Sequence, residues 1–283
     1  MTTPLGNAAV PIGMLHVVST PIGNLADMTL RAIETLRTVA VVLAEDTRHS
    51  RKLLDHFEIA TPLLAHHEHN EAKTTPGLVA RMQRGESMAL ITDAGTPLLS
   101  DPGARLVAAA LDAGVRVVPI PGASALLSAL VAAGLPADQF TFFGFLDRKG
   151  RDRQRSILAV RGLGHTAVLY ESPNRLGATL ADLRDGGLGA RRAAVARELT
   201  KQFEEVRRGT VEELARYYAD APPRGEIVIV IEGATEEAPT EEALRERARA
   251  LRAGGASARD VVSVLVEELG ASRNVAYRLA HEA

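Results

Sequence analysis

Ile91-Thr-Asp-Ala-Gly-Thr-Pro-Leu-Leu-Ser-Asp-Pro-Gly103 follows an apolar run, Met88 to Ile91, and precedes a helix-like pattern. A sudden change from apolar residues to Asp, Gly, Thr and Pro is typical of a strand that ends in an elaborate loop. Open α/β sheets bind their ligands at such strand ends. Gly95 can adopt backbone angles closed to other residues, and the two prolines stiffen the segment. The alternative is an ordinary turn capped by Asp101, although such connections are usually shorter.

Strand-like and helix-like segments alternate around this loop. Buried strands are predicted over Met14 to Thr20, Val39 to Ala44, Leu63 to His66, Ser87 to Thr92 and Val115 to Ile120. Continuous apolar strands that alternate with helices predict a largely parallel sheet with helices on both faces, hence an α/β protein. Because the carboxyl ends of parallel strands meet at one edge, the loops Ser19–Asn24, Asp93–Gly103 and Pro119–Ala125 should converge there. None of the three matches a dinucleotide or phosphate-loop motif.

The second half of the chain has a different pattern. A strand-like run, Phe140 to Phe145, is followed by the strongly basic segment Arg148–Arg155, which is predicted to be a loop. Further strands are predicted over Thr166 to Tyr170, Ala193 to Leu199, Phe203 to Arg208 and Glu226 to Glu232. We therefore expect an N-terminal α/β domain over 1–136 and a second α/β domain over 137–234.

The remaining residues, 235–283, predict a small helical domain after an acidic linker, Thr235 to Thr240. A helix from Thr240 to Leu251 places Arg245, Arg249 and Arg252 on one face. Ser257 and Asp260 match a capping box that opens a second helix. Two short helices around a Gly turn resemble a helix-turn-helix, and a helical packing or oligomerisation appendage is the equal alternative.

Composition excludes several classes of protein. The chain has 283 residues and no cysteine, so disulfides, cysteine nucleophiles and iron–sulfur clusters are excluded. No apolar run approaches the roughly 20 residues of a membrane span, and Met1 to Pro11 lacks the features of a signal peptide, so we expect a cytoplasmic protein. The net charge of −2 indicates that any nucleic-acid partner must be bound by local basic patches.

The loops, in this order, resemble those of the tetrapyrrole methylase superfamily of S-adenosylmethionine-dependent methyltransferases. They are most similar to the ribosomal RNA small subunit methyltransferase I family, over about residues 14–233. The matching motifs are Ser19-Thr-Pro-Ile-Gly-Asn-Leu25, Ala44-Glu-Asp-Thr-Arg48, Thr92 to Gly103, Pro121-Gly-Ala-Ser-Ala125 and Glu171-Ser-Pro-Asn-Arg175. Corrin-forming relatives carry a more glycine-rich first loop, so Ser-Thr-Pro-Ile-Gly favours the RNA branch.

The resemblance implies that S-adenosyl-L-methionine lies in a cleft between two α/β domains. It also implies a homodimer that methylates the ribose 2′-hydroxyl of a cytidine in 16S rRNA, at the decoding centre. By family position, the cofactor-binding residues are Pro21, Asp93, Gly95, Thr96, Pro97, Leu98, Ser124 and Ala125. Methylation of a small tetrapyrrole or a protein side chain is an alternative function, and a non-catalytic ribosome-assembly factor is another.

The reaction requires a positioned hydroxyl and benefits from a base. Glu45, Asp46 and Arg48 follow the second strand at the predicted cleft, although Asp46 is equally suited to cap the next helix. Lys201 follows a strand of the second half and would act as a base if burial lowered its pKa. A solvated lysine is the simpler interpretation, and the identity of the base stays open.

Local basic residues are the predicted RNA contacts, because Lys and Arg neutralise backbone phosphates. They are Arg148, Lys149, Arg151, Arg153, Arg155, Arg175, Arg245 and Arg249. A solvated surface is the alternative for each patch. The run His66-His-Glu-His69 would place His67 and His69 on one face of a strand. It has no further obvious ligand, so no metal site is predicted.

Overall fold

The computed structural model describes residues 12–219, 223–234 and 240–282. Tertiary contacts divide the chain into two compact units, residues 1–233 and 234–283. The expected division at 136/137 and 234/235 stays a prediction. The segment Met1 to Pro11 and nearly all of the expected linker, residues 235–239, lie outside the described residues.

The first sheet of the larger unit is parallel, as predicted. Its strands are β1 (Met14–Val18), β2 (Val41–Ala44), β3 (Leu63–Ala65), β4 (Met88–Leu90) and β5 (Arg116–Ile120). The helices that follow these strands are α1 (Leu30–Thr38), α2 (Thr47–His56), α3 (Glu68–Gln83), α4 (Ala104–Asp112) and α5 (Ala125–Ala133). The strands lie in the order β3-β2-β4-β1-β5, all pairs parallel. Alternate residues of β2 pack into opposite cores, Val42 into one and Leu43 into the other, so helices cover both faces.

The second sheet is mixed. Its strands are β6 (Phe140–Phe145), β7 (Thr166–Glu171), β8 (Arg192–Arg197), β9 (Glu205–Thr210) and β10 (Ile227–Ile231). Three further helices belong to this part: α6 (Gly150–Gly162), α7 (Leu176–Leu183) and α8 (Val211–Tyr217). The strand order is β6-β7-β10-β8-β9; only β6 and β7 pair in parallel. Strand β10 is buried on both faces, since Ile229 and Val230 pack into different cores.

Helix α5 connects the two sheets. Although it follows β5 of the first sheet, its buried residues Leu126, Ala129 and Leu130 pack with Val168 and Val228 of the second sheet. The same cluster contains Ile22 from the loop after β1. The small apolar residues of α5 suit this position, because they let the helix pack closely against the second sheet and against the loop after β1.

The sequence predicted a loop over the basic segment 148–155, but most of this segment forms the start of α6, which begins at Gly150. Arg153, Ile157 and Val160 are its buried residues. Their spacing of four and three residues is that of one helix face. The prediction failed because a buried arginine opens this face where an apolar residue would normally stand.

The smaller unit is helical, as predicted. It contains α9 (Glu241–Ala253), α10 (Ala258–Glu267) and α11 (Arg273–Glu282), packed around Leu244, Val261, Leu265 and Leu279. The capping box at α10 is formed, because the Asp260 amide donates to Ser257 Oγ at 3.2 Å and the Ser257 amide donates to Asp260 Oδ2 at 3.1 Å. Within the described parts of the chain, no helix combines the length and apolar character needed to span a membrane.

Candidate functional site

Three loops meet at the carboxyl edge of the first sheet, as the sequence predicted. Thr20 and Gly95 form a backbone bridge, with N–H···O distances of 2.9 and 3.1 Å. The Thr96 hydroxyl lies 3.0 Å from Ser19 Oγ and donates to the Ala123 carbonyl oxygen at 3.2 Å. The loops after β1, β4 and β5 are therefore held together through Thr96 and Gly95.

The loop after β4 has an unusual backbone. Gly95 has φ of +81°, and Leu98 and Ser100 also have positive φ, at 74° and 67°. Side-chain-bearing residues in this region are strained and persist only where the surrounding structure holds them. A Cβ on Gly95 would lie 3.3 Å from Ile22 Cγ2, so a larger residue would press against Ile22 in addition to straining the backbone.

A cavity of about 360 Å³ lies beside this loop, within the larger unit. The first sheet contributes loop residues to its wall, and the second sheet contributes side chains from β6, β7, β8 and β10 and from the ends of these strands. The apolar part of the lining is formed by Ile22, Leu99, Ala125, Phe145, Tyr170, Ala196, Leu199, Ile227 and Val228. The acidic part is formed by Asp93, Asp101, Glu171 and Glu226. An apolar wall with a few charged groups is the usual construction of a small-molecule site.

The acidic groups on the first-sheet side perturb one another. Burial, reinforced by the negative charges of Glu45 and Asp93, raises the pKa of Asp101 to about 6. Burial, together with Asp93, also raises the pKa of Glu45. Carboxyl groups whose pKa values are raised towards neutrality in a cavity are suited to proton transfer.

Glu171, at the end of β7, is the buried carboxylate of the second-sheet side, and only 2% of the residue is exposed. Its Oε1 accepts from the Ser172 amide at 2.8 Å, and its Oε2 accepts from the Thr179 hydroxyl at 2.5 Å. Arg175 Nε lies 3.3 Å from the same carboxylate and Nη2 donates to the Leu146 carbonyl oxygen at 2.6 Å. Arg175 therefore holds the wall of the cavity together.

The predicted catalytic group after β2 is only partly directed towards the cavity. Glu45 interacts with Asp93 and Asp101. Asp46 is the N-cap of α2, because its Oδ1 accepts from the Arg48 amide at 2.8 Å. The Arg48 side chain is 92% exposed. None of these three residues is part of the cavity lining.

Lys201 forms ion pairs instead of carrying a lowered pKa. Its Nζ lies 2.9 Å from Glu198 Oε1 and 3.2 Å from Glu226 Oε2. Burial lowers the pKa of Lys201, but the hydrogen bonds and charges of these two carboxylates outweigh it, so the net pKa is raised. The condition under which Lys201 would act as a base, a lowered pKa, is therefore not met. The Lys201 stem packs against Gly23, where a Cβ would lie 2.4 Å from Lys201 Cγ.

The residues predicted to bind the cofactor divide into two groups. Asp93, Gly95, Thr96 and Ala125 line the cavity. Pro21, Pro97, Leu98 and Ser124 lie outside its lining. Leu98 packs into the core beneath the first sheet, and Ser124 caps α5.

The residues predicted to bind RNA differ in exposure. Arg153 is only 7% exposed, and its guanidinium donates to Asp182 Oδ2, the Asp147 carbonyl and the Thr179 hydroxyl at 2.7, 2.9 and 3.0 Å. It is thus unavailable to a phosphate, contrary to the prediction. Its exposed neighbours are Arg148, Lys149, Arg151 and Arg155.

Of the three arginines predicted to share one face of α9, Arg245 and Arg252 have partners within the smaller unit. Arg245 lies 2.8 Å from Glu241 and 3.8 Å from Glu282, which links α9 to α11. Arg249 is exposed. Arg252 donates to the Ala256 carbonyl oxygen at 3.0 Å and closes the turn after α9.

The histidine run does not lie on one strand. Strand β3 ends at Ala65 and α3 begins at Glu68, so His67 and His69 share no strand face, although their ring centroids lie 6.0 Å apart. His66 is buried, and its Nδ1 lies 3.0 Å from the Thr74 hydroxyl. The described residues contain no group of three or more acidic, histidine or cysteine side chains placed to hold a metal.

Asp101, Phe145, Tyr170 and Glu226 are site residues that the sequence did not identify. Asp101 belongs to the loop after β4, where the sequence indicated only a helix cap. Helix α4 is instead capped by Gly103, without a side-chain hydrogen bond. The Phe-rich run of β6 was the only sequence signal for Phe145.

Comparisons with known proteins agree with this geometry. The family described as Tetrapyrrole (Corrin/Porphyrin) Methylases matches residues 14–215. A relative named Ribosomal RNA small subunit methyltransferase I from Synechocystis sp. is 47% identical over 274 residues, which cover 96% of this chain and 98% of that protein. A protein of the same name from Pseudomonas aeruginosa is 52% identical over 78% of this chain and 79% of its own.

Solved structures show the same fold at low sequence identity. Uroporphyrin-III-C-methyltransferase from Thermus thermophilus superposes with a TM-score of 0.56 at 23% identity and covers 78% of this chain and 94% of its own. A structure of uroporphyrin-III C-methyltransferase from the same organism, complexed with S-adenyl homocysteine, gives 0.54 at 20% identity, covering 77% and 97%. Diphthine synthase gives 0.60 at 16% identity, covering 78% and 90%. The chain thus has the tetrapyrrole methylase fold and belongs to the ribosomal RNA small subunit methyltransferase I family.

Proposed function

We propose that this protein transfers the methyl group of S-adenosyl-L-methionine to the ribose 2′-hydroxyl of a cytidine in 16S rRNA, at the decoding centre. The observation that carries the proposal is the cavity in which the loops of the first sheet face the aromatic and acidic wall of the second. The name of the relatives supports ribosomal RNA of the small subunit as the substrate.

The cavity residues fit the cofactor. The bound cofactor supplies an electrophilic methyl group on a positively charged sulfur. The carboxylates of Asp93 and Asp101 complement its positive charges, and Ile22, Leu99 and Leu199 offer an apolar surface for an adenosine. Gly95 lets the cofactor approach the main chain, because this position carries no Cβ.

Asp101 is our proposed proton acceptor. A ribose hydroxyl is a weak acid and becomes a better nucleophile when a base receives its proton. With a pKa of about 6, the Asp101 carboxyl is mostly ionised at neutral pH and still more basic than an ordinary carboxylate. Glu45, whose negative charge contributes to that pKa, is proposed as a positioning residue.

The exposed cations at the start of α6 are proposed to bind RNA phosphates. Arg148, Lys149, Arg151 and Arg155 are all exposed around the N-terminus of this helix, and such groups give salt-dependent affinity for RNA. Arg175 is assigned to the cavity wall, while Arg249 remains proposed as an RNA contact. The homodimer implied by the family and the cytoplasmic location expected from the sequence belong to the same proposal.

Mapping of ribose methylation in 16S rRNA, from cells with and without the gene, tests the proposal. We expect one cytidine at the decoding centre to lose its 2′-O-methyl group in the deletion and to regain it with the wild-type gene, but not with Asp101→Asn. An unchanged methylation map in the deletion would refute the assigned substrate. Titration calorimetry with S-adenosyl-L-methionine separates that outcome from a protein that binds no cofactor.

A further inference from the structure

Strand β6 is interrupted by a bulge next to the cavity. Its register with β7 pairs Phe142 with Val168 but then Gly144 with Leu169, so one residue of β6 is left over between them. Gly144 has φ of +64°. Bulges of this kind bend a strand and redirect the side chains that follow, and they are common beside active sites.

The bulge redirects Phe145 towards the cavity. In a regular strand, residues three apart point to opposite faces. Here Phe142 and Phe145 both contact the ring of Tyr170 edge-on, with centroids 4.8 and 5.6 Å away. Phe145 thus lines the cavity while 54% of the residue stays exposed.

The bulge is also fixed by the loop that carries Asp101. A Cβ on Gly144 would lie 2.8 Å from Ser100 Oγ, so this position of β6 packs directly against the neighbour of Asp101. The position of the Phe145 ring is therefore coupled to the loop that holds the acidic groups.

The size of the cavity limits what else it can hold. About 360 Å³ lies near the lower end of the roughly 300–1,000 Å³ of small-molecule sites. In the proposed function the cofactor occupies this cavity, so the acceptor nucleotide approaches it from the solvent side. Phe145 is part of the lining and 54% of the residue is exposed, so it lies between the cavity and solvent, and the exposed Arg148, Lys149 and Arg151 follow it in the chain.

We propose that Phe145 is a stacking platform for the base of the acceptor nucleotide, which enters the site outside its helical stack. This inference rests on the proposed function and adds how the RNA is held. RNA-binding proteins commonly hold bases that are splayed out of their stack in loops and bulges, at a cost in lost base stacking. Stacking on an aromatic ring offsets part of that cost and tolerates any base, and the nearby cations bind the flanking phosphates.

Three variants of the full-length protein test the platform. Phe145→Ala removes the ring, Phe145→Tyr keeps it, and Phe140→Ala removes a 38% exposed ring outside the cavity lining of the same strand. Methyl transfer is measured over a range of concentrations of small ribosomal subunits from cells that lack the gene. S-adenosylhomocysteine binding is measured by calorimetry, and stability by thermal unfolding.

We expect Phe145→Ala to raise the KM for subunits about 10- to 100-fold, the range given by the loss of one base–aromatic stack. Its affinity for S-adenosylhomocysteine should fall by a much smaller factor than the KM rises, because Phe145 is one of many lining residues, and its Tm should fall slightly with the lost ring contact to Tyr170. Phe145→Tyr and Phe140→Ala should both behave as wild type.

Two results would overturn the inference alone, in a wild-type protein that methylates the subunits. One is an unchanged KM for subunits in Phe145→Ala. The other is an equal loss of affinity for S-adenosylhomocysteine, which would place the ring in the cofactor site. A wild-type protein that transfers no methyl group would instead overturn the proposed function, and this inference with it.

Discussion

The two sheets of the larger unit contribute to the same cavity in different ways. The first sheet contributes backbone, through a loop with positive φ at Gly95, Leu98 and Ser100. The second contributes side chains, namely the Phe145 and Tyr170 rings and the buried Glu171 carboxylate. We therefore expect the first-sheet side to be damaged mainly by added atoms and the second-sheet side mainly by removed ones.

Asp101 sharpens this comparison, since on the first-sheet side it is the side chain whose removal should matter most. If it receives the proton, Asp101→Asn should reduce methyl transfer about 100-fold or more. Wild-type activity should fall as the pH is lowered through about 6, because the carboxyl then becomes protonated. A variant with more than a tenth of wild-type activity would remove Asp101 from this role.

The same substitution should affect stability in the opposite direction. The folded pKa of Asp101 is raised from 3.8 to about 6, so the folded protein binds this proton more tightly than the unfolded chain does. The free energy of unfolding contributed by Asp101 therefore falls as the pH rises from about 3.8 to about 6. Asp101→Asn removes that loss, and we expect a higher Tm than wild type at pH 8.

Two arginines of α6 test the rule for the second-sheet side. Arg153→Ala should lower the free energy of unfolding by about 2–3 kcal/mol, because Asp182, Thr179 and the Asp147 carbonyl lose a buried partner. Arg151→Ala, at an exposed position, should change it by less than about 0.5 kcal/mol. Urea unfolding measures both, and equal effects would refute the difference in burial.

The two variants should also differ in RNA binding. Arg151→Ala should make the dependence of subunit affinity on salt shallower by about one unit of logarithmic slope, the effect of one lost phosphate contact. Arg153→Ala should leave this slope unchanged, measured at a temperature where the variant is folded.

Two glycines test the rule for the first-sheet side. Gly95 and Gly114 have similar φ, +81° and +74°, but a Cβ would meet Ile22 and Ala123 at Gly95 and nothing within 4 Å at Gly114. Substitution by Ala should cost about 1–2 kcal/mol of backbone strain at either position. Only Gly95→Ala should also weaken S-adenosyl-L-methionine binding, by about tenfold or more, as measured by calorimetry.

The smallest effect is expected at Lys201. Its raised pKa keeps the ammonium protonated at neutral pH, so Lys201→Gln should not change the shape of the pH–rate profile between pH 7 and 9. The loss of two partly exposed ion pairs should lower stability by at most about 1 kcal/mol. A wild-type rate that rises over this range and no longer rises in the variant would restore Lys201 as the base.

Most of the fold followed from local patterns. The run Val41–Ala44 is buried along its whole length, and the segment Glu226 to Glu232 contains strand β10, which is covered on both faces. Both runs were recognisable because a strand covered on both faces must be apolar throughout. The capping box at Ser257 was also predictable, because its two partners lie only three residues apart in the sequence. The convergence of Thr20, Gly95 and Ala123 followed from the geometry of parallel strands.

The site was predicted less completely than the fold. A lowered pKa was the condition for Lys201 to act as a base, but its ion pairs with Glu198 and with Glu226, which lies 25 residues later in the chain, raise the pKa of Lys201. Arg153 was expected on the surface, but Asp182 and Thr179 from α7 bury it. Neither outcome could be predicted, because the partners other than Glu198 lie far away in the sequence and form no local pattern with Lys201 or Arg153.

The amino-acid sequence was enough to determine the strands, most of the helices, the chemistry of the loops and the family. Each of these depends on short-range spacing or on sequence motifs. The folded chain alone set the pKa of Asp101, the covering of the second sheet by α5 and the direction of Phe145. These depend on the burial of charges and on register between strands, which arise only when segments far apart in sequence pack against one another.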